Sequence, residues 1–276
     1  MRMPCLIAGT LLISLAATAC GSSPSGKTAA PAASSAMPSS ATPSSAPPSS
    51  PAPSSAQPSA DQDNAALSAD ELLKQAKRAL AGVDTVKVDF TRTTGADLAT
   101  GHVEIANLAA SCAGRISVND VPMMTFGRKS SRAWLRIEEA GWSWAGRTPS
   151  PQDGQLKGKY VAGTLNRTQL VQVPALCDAD VELYQEISKS GQAKSSAPAT
   201  LNGEPAIALT VDTGDGSTAT LVVPAHGTPF PLQAKCPGST ASFSAYNSPL
   251  DNQEPPAAEV IDLDTVDVQL PQVLRM

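Results

Sequence analysis

Val86-Lys87-Val88-Asp89-Phe90-Thr91 alternates apolar with charged or polar residues at a period of two. Successive side chains of a strand point to opposite faces, so this stretch predicts a strand with one face in a core and the other in water. The pattern repeats outward from it. Val103 and Ile105 alternate with His102 and Glu104, Ile116 and Val118 with Arg115 and Ser117, and Ala133, Leu135 and Ile137 with Arg132, Trp134 and Arg136. Asn119-Asp120 interrupts two such runs with residues that tolerate turn conformations. Further on, Ile207, Leu209 and Val211, then Leu221 to Val223, Leu232 to Lys235 and Ala241 to Tyr246 form a second β block. Leu201-Asn202-Gly203-Glu204 and Gly214-Asp215-Gly216 read as its turns. Antiparallel strands with one buried face follow from this patterning.

Helical signals flank the strands. Ser68-Ala69-Asp70-Glu71 is a capping box, in which the Ser68 hydroxyl accepts from the Glu71 amide and the Glu71 side chain reaches back. Leu72, Leu73, Ala76 and Leu80 make one apolar stripe, and Gly82 stands where a helix would end. Leu165 to Val173 and Asp178 to Ser188 also read as helices, with Asp178 as an N-cap. Pro255 to Ile261 reads as a short one. Gly141-Trp142-Ser143-Trp144 and Gly158-Lys159-Tyr160-Val161 flank a Pro/Gly/Gln-rich loop.

The beginning of the chain has a different character. Arg2 precedes an uncharged run from Cys5 to Ala19, too short for a membrane span and suited to a signal peptide over residues 1–19. Ala17-Thr18-Ala19-Cys20 resembles the bacterial lipobox, with Ala17 where a Leu is usual. That resemblance implies lipidation of Cys20 and anchoring to the extracytoplasmic face of the cell membrane; the alternative is an ordinary secretory signal. Residues 20–67 then form a Ser/Pro/Ala-rich tether with repeated Pro-Ser-Ser units. Such a composition cannot bury enough surface to offset the entropy of ordering. At ~3.1 Å per residue in extended form, ~45 such residues reach roughly 140 Å. Residues 68–276 are left as one domain.

Composition narrows the function. With 20 Lys and Arg against 25 Asp and Glu the net charge is −5, and no basic run stands out, so nucleic acid is not an expected partner. Cys112, Cys177 and Cys236 lack the close spacing of a zinc or redox site, so neither a metal nor a cofactor is expected. They allow three single bridges in an oxidising compartment. The expectation is Cys112 with Cys177, pinning a helix to the sheet and leaving Cys236 free; Cys112 with Cys236 would link two strands equally well. Asp212-Thr213-Gly214 matches the aspartic-protease triplet, but no second triplet supplies the required partner carboxylate. His102 and His226 are the only histidines, and no Gly-x-Ser-x-Gly elbow accompanies them. No catalytic residue is therefore nominated, and the chain is not expected to be an enzyme. Trp134, Trp142 and Trp144 either line a pocket or fill the core and its rim.

Taken in order, these features resemble the actinobacterial LppX/LprG-type lipoproteins with a LolA-like fold. The resemblance is carried by the tether after Cys20, Leu72-Leu73-Lys74-Gln75-Ala76 before Val86, and Trp134-Leu135 with Gly158-Lys159-Tyr160-Val161. Leu201-Asn202-Gly203-Glu204-Pro205-Ala206, Gly227-Thr228-Pro229-Phe230-Pro231-Leu232 and Val260-Ile261-Asp262-Leu263-Asp264 complete it. It implies an α+β fold: a curved antiparallel β-sheet, like a half-barrel, with helices on its concave face. It also implies an apolar cavity that holds a lipid, a glycolipid or another lipophilic ligand. Strand alternation nominates Val86, Val88, Phe90, Val103, Ile105, Leu135 and Ile137 as the ligand-facing set. The alternative is an envelope interaction protein whose core is filled.

Overall fold

A computed structural model describes residues 62–106, 110–144, 153–165, 170, 172–177, 192–213, 217–250, 253–263, 265 and 270. The expected export signal, Cys20, the expected tether up to residue 61, the helix expected over Asp178–Ser188 and the turn expected at Gly214-Asp215-Gly216 lie outside the described residues.

Helix α1 (Ala69–Ala81) is followed by five strands: β1 (Thr85–Thr94), β2 (Asp97–Ala106), β3 (Ser111–Val118), β4 (Val121–Lys129) and β5 (Arg132–Ile137). A short helix α2 (Glu139–Trp144) and β6 (Tyr160–Thr164) come next. The second block is β7 (Ala193–Leu201), β8 (Glu204–Asp212), β9 (Thr218–Pro224), β10 (Gln233–Cys236) and β11 (Ser239–Ser244). The tail ends in β12 (Val260–Asp262). All twelve strands form one sheet in the order β12-β6-β5-β4-β3-β2-β1-β11-β10-β9-β8-β7. Neighbours pair antiparallel throughout, except that β12 runs parallel to β6. The architecture is α+β: an open, curved sheet with helices on one face.

Tight turns set the register. Asn119 and Asp120, at φ 48° and 64°, join β3 to β4. Asn202 and Gly203, at φ 53° and 87°, join β7 to β8. Two consecutive positive φ values give the twist that a two-residue hairpin needs, and Asn, Asp and Gly adopt them at least cost. In such a hairpin Leu201 and Glu204 form the first hydrogen-bonded pair, so alternation puts Pro198, opposite Ile207, in a non-hydrogen-bonded pair. Its missing N–H then falls on the free side of this edge strand, where proline is tolerated and blunts unwanted pairing.

Curvature is written into three cross-strand glycine–aromatic pairs: Phe90 opposite Gly101, Phe126 opposite Gly114, and Trp134 opposite Gly127. In each, the ring occupies the space that a glycine Cβ would need. Glycine within a strand permits a tight bend, and an aromatic ring laid over it restores the lost packing. A bulge after Ile116 on the β3–β4 pair leaves Met123 as the extra residue and adds further bend. The following helix α2 meets this bulge, with the Glu138 amide donating to the Met123 carbonyl at 2.9 Å.

The core lies on one face. Leu72, Leu73, Ala76 and Leu80 of α1 are all buried in one cluster with Val88, Val103, Phe126, Leu135, Leu209, Leu221 and Phe243. Each such leucine contributes roughly 1.5–3 kcal/mol. The Ser68 hydroxyl accepts from the Glu71 amide at 3.3 Å, while the Glu71 carboxylate bonds Gln75 and Arg78 further along the helix. Gly82 ends α1 at φ −97°, so it stands at the expected stop without using a left-handed conformation.

Contacts to the sheet begin ahead of Ser68. Asn64 is fully buried; its side-chain amide donates to the Pro224 and Gly227 carbonyls at 2.9 and 3.0 Å and accepts from Gln62 at 2.9 Å. The Asn64 backbone amide donates to the Ala225 carbonyl, and Asp63 bridges to His226.

Three of the segments read from the sequence take these forms. Of the helix expected over Leu165–Val173, Leu165 lies in a turn after β6 with its amide donating to the Ser131 carbonyl, Leu170 is in a 3-10 conformation and residues 172–177 are helical, while residues 166–169 and 171 lie outside the described residues. The Gly141-Trp142-Ser143-Trp144 flank is helical. The Pro255–Ile261 helix reduces to one 3-10 turn over Ala257–Glu259, after which Val260–Asp262 is drawn out by pairing with β6.

Candidate functional site

All seven nominated residues fall on the same face of the sheet. Val86 lies opposite Ile105, Val88 opposite Val103, and Phe90 opposite Gly101. Leu135 and Ile137 join the same rows through Phe126 and Met124 of β4. Six of the seven are buried in the main core, and Phe90 packs against it partly buried. Sequence alternation therefore found the face but not its full extent. Met124, Phe126, Val161, Leu209, Leu221, Val223 and Phe243 belong to the same core, and α1 and residues 172–177 help cover it.

The cover is fastened covalently. Cys112 on β3 and Cys177 at the end of the 172–177 helical run form a disulfide that closes 65 residues of separation. Both are fully buried, among Leu170, Val173 and Leu176. Cys236 is also disulfide-bonded, which corrects the expectation of a free thiol.

Two described cavities lie away from the seven residues. One, of about 270 Å³, sits on the opposite, outer face over Ala162, between Trp134, Arg132, Val260, Asp262 and the Glu254-Pro255 segment. It exists because Trp134 leans across Gly127 and leaves only the small Ala162 beneath. The other, of about 200 Å³, is bounded by Ala65, Leu67, Ser196 to Ala199, Pro205 and Ile207, between the segment that precedes α1 and the edge strand β7.

The tryptophans divide three ways: Trp134 lines the outer cavity, Trp142 joins the main core, and Trp144 is exposed.

The polar motifs take structural roles. Asp212 ends β8 in an ion pair with Lys194 at 3.0 Å, and the Thr213 hydroxyl donates to the Ser217 carbonyl. His102 sits on the outer face with Nδ1 2.7 Å from Asp89 and Nε2 3.5 Å from Glu104, whose carboxylate also meets Lys87 at 2.6 Å. His226 is exposed, 3.8 Å from Asp63. Among the described residues no group of three His, Cys, Asp or Glu side chains could hold a metal ion. No described helix is long and apolar enough to cross a membrane. Partial burial on α1 pushes the Lys77 ammonium below its usual pKa.

No protein-family model and no curated protein matches the chain. Among solved structures it is similar to LprF from Mycobacterium bovis, at 14% identity and a TM-score of 0.45, over 68% of this chain and 96% of that one. It is also similar to an uncharacterized conserved protein from Thermus thermophilus, at 10% identity and a TM-score of 0.33, over 70% and 97% of the two chains. A third likeness is to the Pseudomonas aeruginosa MucA/MucB complex, at 16% identity and a TM-score of 0.33, over 69% of this chain and 62% of that one. These are remote likenesses.

Proposed function

We propose that the chain is a lipoprotein, anchored through Cys20 at the extracytoplasmic face of the cell membrane, that holds a lipid or other lipophilic molecule against the inner face of its sheet. The observation that carries this reading is the single apolar face running from β6 to β8, on which no charged side chain interrupts the central rows. Transfer of an acyl chain from water to such a face is favourable at ~25 cal/mol per Å² and requires no catalytic group. The Cys112–Cys177 bridge would keep the helical cover attached to β3 whether or not a ligand is bound.

A second reading has its own observation. Six of the seven nominated side chains are buried within the protein's own core, as expected of a filled interior in an envelope interaction protein. Organic extraction of the purified protein followed by mass spectrometry separates the two. A stoichiometric lipid in the extract supports the carrier, and an extract free of lipid, from protein purified without detergent, supports the interaction protein.

A further inference from the structure

We infer that Arg128 gives the inner face a preference for amphiphiles with an anionic head group, a phosphate or a carboxylate. The inference rests on the lipophile reading above and names the class of molecule that face would select. Register places Arg128 opposite Cys112 on β3 and Ala133 on β5, both fully buried in the core. An arginine in that row emerges on the apolar side of the sheet, and its Nε is enclosed. The neighbouring rows are apolar: Val86 and Ile105 beside it, then Val88, Val103, Phe126 and Leu135, then Phe90, Ile116, Met124 and Ile137. The other charged positions of this register in β1 and β2, Arg92 and Asp97, sit at the opposite strand ends beside the Gly95 turn. One strand end thus presents a cation, followed by ~14 Å of apolar strand at ~3.4 Å per residue. That is the polarity of an amphiphile with its anionic head at Arg128 and its tail towards Met124.

Arg128 also has contacts within the protein. A guanidinium offers five donors in a planar fork that matches phosphate and carboxylate oxygens, so it serves more than one partner. A methionine of similar reach would fill the same space without the desolvation cost of a buried cation.

The test uses a probe pair matched in chain length and differing in head charge. The full chain carrying Cys20→Ser is titrated with palmitate and with 1-hexadecanol, and bound ligand is counted by native mass spectrometry. The expected result is an affinity for palmitate about tenfold or more above that for hexadecanol, the scale of one charge-assisted hydrogen bond. Arg128→Met should abolish the difference while leaving hexadecanol bound, and Arg128→Lys should keep part of it. Equal affinities in the parent overturn the inference without reference to any variant that fails to fold. A palmitate preference that survives Arg128→Met also overturns it and leaves Arg128 a structural role only. Displacement of palmitate by inorganic phosphate alone would show a free-anion site and overturn the amphiphile assignment. If the parent binds neither probe, the lipophile reading itself has failed and this inference falls with it.

Discussion

Gly127→Ala is a one-carbon change whose sign depends on two opposing effects. In a strand, alanine is favoured over glycine by roughly 0.5–1 kcal/mol because less backbone entropy is lost. Against that, a Cβ at Gly127 would stand 2.5 Å from Trp134 Nε1 and closer still to Cε2 and Cζ2, where ordinary contact begins at 3.4 Å. The indole must therefore retreat by about 0.9 Å or more, and it is only 3% exposed. If it stays, overpacking costs about 1–3 kcal/mol. If it swings towards the cavity over Ala162, it leaves its seat on Gly127 and meets water with part of the ~150–250 Å² that such a ring buries, a cost of similar size. The clash should win, with a net loss of about 1–2 kcal/mol. All three nearest atoms belong to Trp134, so Trp134→Leu should remove most of the penalty for the alanine, giving a coupling above about 0.5 kcal/mol in the double-mutant cycle. Urea denaturation of the four proteins measures it, and tryptophan emission reports whether the ring has moved. A Gly127→Ala protein as stable as the parent would refute the claim that the aromatic rings are seated on glycines.

The remaining perturbations address the segment before α1, the cover and the anchor. Asn64→Ala leaves the Pro224 and Gly227 carbonyls without their side-chain donor inside the protein and should cost about 2–4 kcal/mol in urea unfolding; a loss under about 0.5 kcal/mol, within the range of an ordinary surface substitution, would mean that Gln62–Leu67 does not belong to the folded unit. Replacing Cys112 and Cys177 together by alanine opens a 65-residue separation and should cost about 4 kcal/mol by the chain-entropy model. Non-reducing peptide mapping should recover those two cysteines joined, and a peptide linking either to Cys236 would contradict the fold. Cys20→Ser should move the protein from the membrane to the soluble fraction; a variant as membrane-bound as the parent would exclude Cys20 as the anchor.

Period-two alternation makes the inner face legible in the sequence, because burial on one side of an antiparallel strand leaves a direct trace there. Ser68, the Leu72–Leu80 stripe and the Asn119-Asp120 turn were equally plain, being local. Strand β7 was not. Lys194-Ser195-Ser196-Ala197-Pro198 is nearly all exposed at the sheet edge and carries no apolar alternation, so only its hairpin at Asn202-Gly203 announced it. Residues 62–67 read as tether because one buried asparagine, satisfied by distant carbonyls, leaves no periodic signal. The glycine–aromatic pairs depend on cross-strand register, which a single sequence does not display. The outer cavity arises from that same pairing and from a tail whose Pro255-Pro256 start resembled a helix entry.

Val88→Trp tests the central claim most directly, because Val88 stands in the middle of the inner face between Val103 and Phe243. The measurement is the change in unfolding free energy together with lipid recovered per mole of protein. If the face borders space that a lipophile occupies, the indole takes ligand volume: bound lipid falls and stability changes by less than about 1 kcal/mol, below the usual cost of overpacking. A loss of about 3 kcal/mol or more, in a protein whose parent yields no lipid, would contradict the carrier and identify the interior as a filled core.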